Sequence, residues 1–353
     1  MKLVSDTVKN NNIYHIDNVE KIEPDDIFHR YDVFEVKEIR EIFDQLGTPA
    51  KFLSTMIIHC DEFIDDVEFV GLPLWLEHSR KMWNLEEFNK TKCKTNYCFN
   101  FMINKKQINR YLCIKLVELF KFKNFIYTWS GTDNYFDCSE TIQEHRSLGK
   151  LSPLDRDQFA QVLSPIKLDP VFYLNNQEKY TSSDNSAVDT YGGNRNSWDW
   201  GCNKLFLESA VSLITESLKY QKATTFTEKT LYSILGASFP IWVGGGNRQA
   251  EIFNKLGLDT FDDIINHDYQ YYDTLLERCV YAFEFNKKIL TDLDYAKSVR
   301  NKNIGRLVNN RNLVLKGKLN EFIEAELQKY YPQGNPISVE ELITLFDVDF
   351  NLS

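Results

Sequence analysis

Cysteine is sparse and unpatterned: the 353-residue chain has seven, an odd number, scattered and without a Cys-x-x-Cys pair. Such usage argues against a structural zinc site and against a disulfide framework. Cys60, Cys98 and Cys113 sit in apolar surroundings and read as core residues. No run approaches the ~20 uninterrupted apolar residues of a membrane-spanning helix. The segment MKLVSDTVKNNN lacks a secretory apolar region, and the expectation is a cytoplasmic protein with no membrane span. Positive charge is not in excess either: the formal charge of −10 argues against general affinity for a phosphate backbone, which demands a concentrated basic face. No internal repeat is visible. The three glycines Gly244 to Gly246 do not fit the spacing of a P-loop or a dinucleotide fingerprint, and they read as a flexible strand-to-helix turn.

What is present suits two α/β domains of ordinary size, with an aromatic content of 14% to fill their cores. A first domain over residues 1–92 contains an amphipathic segment from Val36 to Leu46, a Gly-Thr-Pro break at 47–49 and a strand candidate from Phe52 to His59. His59, Asp61 and Glu62 stand at the exit of that strand, where an α/β enzyme keeps its acid–base groups. The competing reading is a loop made acidic for solubility, and Asp65 and Asp66 fit that reading better. A second domain, 93–290, opens with an apolar strand from Tyr97 to Ile103. A helix carrying Leu112, Leu116, Leu119 and Phe120 follows, and then a strand from Phe125 to Trp129, which together make a βαβ unit. An insertion of about 132–203 interrupts this domain, and its stretch from Tyr180 to Gly201 is polar and turn-rich, as in a long loop or lid.

The most legible block runs from Ser209 to Gly246. An apolar strand, Val211 to Ile214, leads through a polar loop to Thr227-Glu228-Lys229-Thr230, which opens a helix ending near Leu235; a second strand, Phe239 to Val243, ends in the glycines. The unit is half of an open α/β sheet, and such sheets bind ligands beyond the carboxyl ends of their strands. Thr227 is placed to cap the helix, and Lys229 to meet an anion at its amino end. A capping Thr followed by Glu is also common on ordinary helices.

Glu216-Ser217, Phe226-Thr227-Glu228-Lys229, Gly236-Ala237 and Phe239-Pro240-Ile241 together resemble the donor-binding domain of fucosyltransferases and, more loosely, of exostosin-type glycosyltransferases. Arg110 matches the place of an arginine that contacts the donor diphosphate in those families. Similar Thr-Glu-Lys-Thr blocks, followed by an element like Leu256 to Asp263 here, occur in glycosyltransferase-like proteins of phages and large DNA viruses. The resemblance spans about residues 95–290 with a gap and is one of motifs. It implies a GT-B-like architecture, two Rossmann-type domains facing a cleft, and transfer of a sugar from a nucleotide-diphosphate sugar to a glycan or other hydroxyl acceptor. Transfer would invert the anomeric centre and need no metal and no cofactor. Arg110, Glu216, Ser217, Thr227, Glu228, Lys229, Gly244 and Gly245 would bind the donor, while His59, Asp61 or Glu62 would deprotonate the acceptor.

Three alternatives stay open: a phage enzyme acting on hydroxymethylated bases of modified DNA, a catalytically silent sugar- or nucleotide-binding module, and an unrelated α/β protein whose Thr-Glu-Lys-Thr is simply a capped helix. Locally basic stretches, Lys90 to Lys123 and Arg300 to Lys318, read as solvated helix faces that leave room for a nucleic-acid acceptor. Helices are further expected over Asn247–Leu256 and, as one long element, over Tyr272–Leu290. The tail 291–353 is expected to pack helices back across the domains.

Overall fold

The computed structural model describes residues 3–5, 14–15, 19–24, 26–30, 36–54, 57–61, 63–74, 76–77, 93–103, 107–129, 135–136, 158, 161–162, 166–167, 203–216, 223–244, 246–330 and 338. In chain order, β1 (Leu3–Ser5), β2 (Tyr14–His15) and β3 (Ile27–Arg30) precede α1 (Val36–Leu46), which is followed by β4 (Lys51–Ser54), β5 (Ile57–Cys60) and β6 (Glu68–Gly71). Five of these strands form a parallel sheet in the order β2-β1-β3-β4-β6. Helix α1 buries Ile39 and Phe43 on one face and leaves its charged face to solvent, as its spacing predicts. Phe43 packs edge-on against Phe28 of β3 with ring centroids 5.3 Å apart, and Phe28 lies 5.7 Å from Phe52 of β4.

A second parallel sheet has the order β13-β11-β7-β8. Its first strands are β7 (Tyr97–Ile103) and β8 (Phe125–Trp129), joined by α2 (Ile108–Leu119); β9 (Tyr135–Phe136) and β10 (Ile166–Lys167) pair only with each other. Then come α3 (Asn203–Leu207), β11 (Ser209–Ile214), β12 (Ala223–Thr225), α4 (Glu228–Leu235), β13 (Phe239–Trp242) and α5 (Gln249–Lys255). Strands β11 and β13 are buried at every position, which explains why they are rich in apolar residues without strict alternation; the two polar side chains of β11, Ser209 and Ser212, are buried as well. The chain is thus a mixed α/β protein with parallel sheets and packed helices. In the second sheet the strand order reverses between β7 and β11, and a crevice opens beyond the carboxyl ends of strands at such a switch point.

The apolar run from Phe52 to His59 is two strands and not one. Ser54 ends β4, its hydroxyl accepting from the Ile57 amide at 3.0 Å, and β5 leaves the first sheet to pair antiparallel with β12. Strand β5 is apolar because it separates two cores: Ile57 and Cys60 face the core of the first sheet, and Ile58 joins that of Phe226, Trp242 and Phe253.

The expected single helix over Tyr272–Leu290 is also divided. A 3-10 turn at Asp268–Tyr271 precedes α6 (Leu275–Phe285), which starts at a capping box between Thr274 and Glu277, and α7 (Lys287–Thr291) follows. Asn286 breaks the run because its amide donates to the carbonyls of Asn266 and Ala282, each at 3.0 Å. The last described helices are α8 (Leu293–Leu315) and α9 (Lys318–Tyr330).

The basic stretches are not simply solvated faces: Arg110, Lys115, Arg300 and Arg311 are buried. Arg300 is the clearest case, at 1% exposure. Its Nε donates to the Ala237 carbonyl at 2.9 Å, Nη1 to Leu207 O at 2.9 Å and Thr95 Oγ1 at 3.2 Å, and Nη2 to Gly236 O at 2.8 Å and Phe206 O at 3.5 Å. A guanidinium has five N–H donors in a fixed fork, so this one is fully engaged. It satisfies the carbonyls that α3 and α4 leave at their carboxyl ends, where positive charge is favoured. Burial lowers the pKa of Arg300 to about 10, which leaves it charged at neutral pH. The substitution Arg300→Met keeps the stem but strands several buried carbonyls, each worth about 1–3 kcal/mol. Urea denaturation is expected to show a loss of at least about 3 kcal/mol, with Arg300→Lys less affected; an unchanged midpoint would mean that these carbonyls find other partners.

Candidate active site

The carboxyl edge of the second sheet gathers polar residues from three segments. The first is the end of β11: the Thr215 hydroxyl donates to the Met102 carbonyl at 2.9 Å, locking β11 to β7, and Glu216 follows. The second is the start of α4. Thr227 is its N-cap, and its side chain accepts from the Lys229 amide, as the sequence predicts. Beyond that local cap, the Thr227 amide donates to Glu216 Oε1 at 2.9 Å, the Thr227 hydroxyl donates to Glu216 Oε2, and the Thr230 hydroxyl donates to Oε1 at 2.8 Å. The Trp242 indole N–H donates to the Thr230 hydroxyl at 3.0 Å and carries the network to β13. The third segment is the first turn of α2, where the Asn109 amide donates to the Glu216 carbonyl at 2.8 Å and Arg110 Nη2 to the Thr215 carbonyl at 3.4 Å.

All of this is inside the protein. Glu216 is 0% exposed, Arg110 2%, Lys229 3%, and Thr227 and Glu228 4% each. Lys229 Nζ lies 2.5 Å from Glu228 Oε1, so the ammonium carries a carboxylate as its partner. Burial raises the pKa of Glu216 and the neighbouring Glu228 charge adds to the rise, while Lys229 and the Thr227 donors act against it.

Gly244 and Gly246 are closely packed, where the sequence suggests a flexible turn. A Cβ on Gly244 would come within 2.2 Å of the Asn109 amide nitrogen. One on Gly246, whose φ is +103°, would come within 1.6 Å of the Ala223 carbonyl oxygen. At Gly246 glycine is required because the Ala223 backbone passes where a side chain would sit, and at Gly244 it leaves room for the Asn109 side chain.

The following residues reach the other candidate group. Asn247 accepts the Thr224 hydroxyl at its carbonyl, and its amide donates to Asp61 Oδ2 at 2.7 Å. Arg248 is held in the left-handed conformation, φ 61° and ψ 20°, which costs a non-glycine residue about 1–2 kcal/mol. Its Nε lies 3.3 Å from Asp61 Oδ1. His59 Nε2 lies 3.0 Å from the same oxygen, and both side chains of this His–Asp pair remain part-exposed. Burial alone would raise the pKa of Asp61, but the Asn247 and His59 hydrogen bonds and the Arg248 charge outweigh it and hold the carboxyl below its ordinary value. Asp61 is therefore a fixed anion that orients His59 through Nε2 and leaves Nδ1 as the ring's proton acceptor.

Of the residues singled out from sequence, the structure brings Arg110, Glu216, Thr227, Glu228, Lys229 and Gly244 to one sheet edge, and His59 with Asp61 to the strand pair beside it. Glu62, Ser217 and Gly245 lie outside the described residues. Asn109, Asn247 and Arg248 were not legible, because a single amide or guanidinium at a helix start or in a turn has no period to mark it. Asp-x-Asp triplets do occur, at Asp155–Asp157, Asp292–Asp294 and Asp347–Asp349. Asp292 caps α8 by accepting from the Tyr295 amide at 2.9 Å, and the other two triplets lie outside the described residues, so metal independence rests on the resemblance alone. The Leu256–Asp263 block serves to anchor α8: Arg306 is bidentate on both Asp259 and Asp263 at 2.8–3.0 Å.

A pKa raised in the folded state gives a contribution that is full below the unfolded value, near 4.5 for Glu216, and is lost as pH rises through the folded value. The variant Glu216→Gln, which never ionises, is therefore expected to gain stability relative to wild type as pH rises from about 4 to 8. Melting curves across that range test this; a difference independent of pH would show that the carboxylate ionises in the fold as freely as in the unfolded chain. Comparison of the chain with family models, with curated proteins and with solved structures finds no match to any of the three.

Proposed function

We propose that the protein is a glycosyltransferase that moves a sugar from a nucleotide-diphosphate sugar to a hydroxyl acceptor. Its donor diphosphate is held at the switch point between β7 and β11. The observation that supports this reading best is the convergence of Arg110, Lys229 and the capped amino end of α4 on the carboxyl edge of a parallel sheet. Guanidinium, ammonium and a helix amino terminus together favour a bound diphosphate.

In this reading the donor diphosphate replaces the Glu228 carboxylate on Lys229, and Glu228 turns to the hydroxyls of the sugar. His59 Nδ1 takes the proton of the acceptor hydroxyl as its oxygen attacks the anomeric carbon. The bond from that carbon to the diphosphate oxygen breaks, and the electron pair leaves with the diphosphate. Arg110 and Lys229 stabilise the charge that develops there, while Asp61 stabilises the imidazolium. The first sheet then supplies the acceptor side of a two-domain, GT-B-like arrangement, and attack from that side inverts the anomeric centre.

A part-exposed His–Asp pair favours an enzyme over a silent binding module. Burial of Arg110, Lys115, Arg300 and Arg311 takes these four residues out of any basic surface on which modified DNA would have to lie.

Nucleoside diphosphates are expected to raise the melting temperature, since a ligand that binds only the folded state stabilises it by mass action, with the matching nucleosides giving much less. Lys229→Met should weaken diphosphate binding at least about tenfold, the equivalent of ~1.4 kcal/mol. His59→Ala should lower turnover steeply and leave donor affinity unchanged. Equal shifts for nucleoside and diphosphate, or none for either, would overturn the proposal.

A further inference from the structure

Arg248 is an unfavourable residue for its place in the backbone. It is the N-cap of α5, with φ 61° and ψ 20°, and its side chain makes no capping hydrogen bond. An N-cap residue ordinarily has extended backbone and a short side chain whose oxygen accepts from the first turn. The left-handed region, for its part, favours glycine or asparagine. Either of those would fit position 248 on both counts, and arginine fits on neither.

The other non-glycine residues at positive φ among those described are accounted for by the fold. Lys121 and Ala237 close α2 and α4 at the place where a left-handed residue commonly ends a helix, with the Phe122 amide donating to Val117 and the Ser238 amide to Ser233 across each turn. Phe261 buries its ring in the core, and Asp66 and Asn124 are residue types that enter this region readily. Ion pairing for stability does not account for Arg248. Its Nη1 lies 3.8 Å from Glu251, a carboxylate already held by Lys255 at 2.9 Å. Its Nε lies 3.3 Å from Asp61 Oδ1, and with 40% of the arginine side chain exposed such a pair returns less stability than a left-handed backbone costs. A strained residue persists where its surroundings over-determine it, and such residues gather at active sites. The surroundings here are the His59–Asp61 pair: His59 Nε2 lies 3.0 Å from the oxygen that Arg248 meets, and Asn247 donates to the other oxygen at 2.7 Å.

We propose that Arg248 is a positioning residue: its guanidinium holds Asp61 Oδ1 against His59 Nε2, and the backbone strain at 248 accompanies that grip. This role rests on the reaction proposed above, in which His59 Nδ1 takes the acceptor proton. Asn247 fixes one carboxylate oxygen, and a carboxylate held at one oxygen is free to rotate away from the ring. The guanidinium on the second oxygen closes that rotation and keeps the imidazole in one tautomer. Burial opposes ionisation of Asp61, and Asn247, His59 and Arg248 together overcome it. Two further titratable groups stand near the pair. Burial and the neighbouring Asp61 raise the Cys60 thiol to about 11, and Lys255 chiefly holds Glu251 below the ordinary carboxylate value.

The test compares Arg248→Gly and Arg248→Ala with wild type in the full chain. The glycine variant loses both strain and guanidinium, whereas the alanine variant loses the guanidinium alone. Melting curves are expected to place Arg248→Gly at or above wild type and Arg248→Ala below both. NMR titration without ligand is expected to show the Asp61 pKa higher in both variants by at least about half a unit, with the His59 ring no longer in a single tautomer. Turnover should fall at least about tenfold in both, with KM for the nucleotide sugar unchanged. A wild-type chain that transfers no sugar overturns the reaction alone, because titration and melting decide the grip of Arg248 without turnover. Arg248→Gly less stable than wild type, an unchanged Asp61 titration, or wild-type turnover in both variants would each overturn the proposal.

Discussion

The carboxylate of Glu216 is the constraint on which the rest of the structure depends. Removing a carboxylate from water costs several kcal/mol. At Glu216 that cost is offset in part by the Thr227 amide, the Thr227 hydroxyl and the Thr230 hydroxyl, together with the ammonium of Lys229. Hydrogen bonds to a charged acceptor are roughly twice as strong as neutral ones, and the amino end of α4 adds a favourable dipole. Because every partner lies at the N-cap or in the first turn of α4, the carboxylate fixes that helix against the end of β11. Through the Thr230 hydroxyl and Trp242 it also fixes β13.

Two consequences follow for the neighbouring parts. Strand β12 immediately precedes Thr227, so the register of α4 on Glu216 also sets where β12 meets β5. That places His59 and Asp61 beside the glycine-bearing turn, whose Asn247 and Arg248 hold the aspartate. On the other side, Asn109 reaches the Glu216 carbonyl and closes over Gly244, which brings the first turn of α2 and its Arg110 to the same edge. One polar centre is thus assembled from the end of β11, the first turns of α2 and α4, and the turn that carries Asn247 and Arg248. The opposite ends of α3 and α4 are secured by the guanidinium of Arg300.

Much of the second sheet was legible in the sequence because its signals are local. The apolar residues of the strands, the Thr227 cap and, beside the first sheet, the amphipathic face of α1 need only near neighbours to be read, whereas α2 is buried from Ile108 to Val117, its Asn109, Arg110 and Lys115 included. What escaped depends on partners distant in sequence. The break between β4 and β5 is invisible in an apolar run because β5 is buried on two sides, one facing each core. Burial of Arg300 could not be read from a basic stretch, since what buries it is a ring of carbonyls more than sixty residues away. The site was half legible. Thr227, Glu228 and Lys229 stand together in the chain, whereas Asn109, Asn247 and Arg248 acquire meaning only once β11, β12 and β13 are laid side by side.

The central claim is that the Glu216 centre holds Lys229 and Arg110 ready for a diphosphate, with Glu228 occupying the place of that anion. A crystal structure of the protein with a bound nucleoside diphosphate tests it most directly. The account predicts a phosphate on Lys229 Nζ and within reach of Arg110, the Glu228 carboxylate displaced from its 2.5 Å contact, and the Glu216 hydrogen bonds to Thr227 and Thr230 unchanged. A diphosphate bound elsewhere, with the Lys229–Glu228 pair intact, would contradict it.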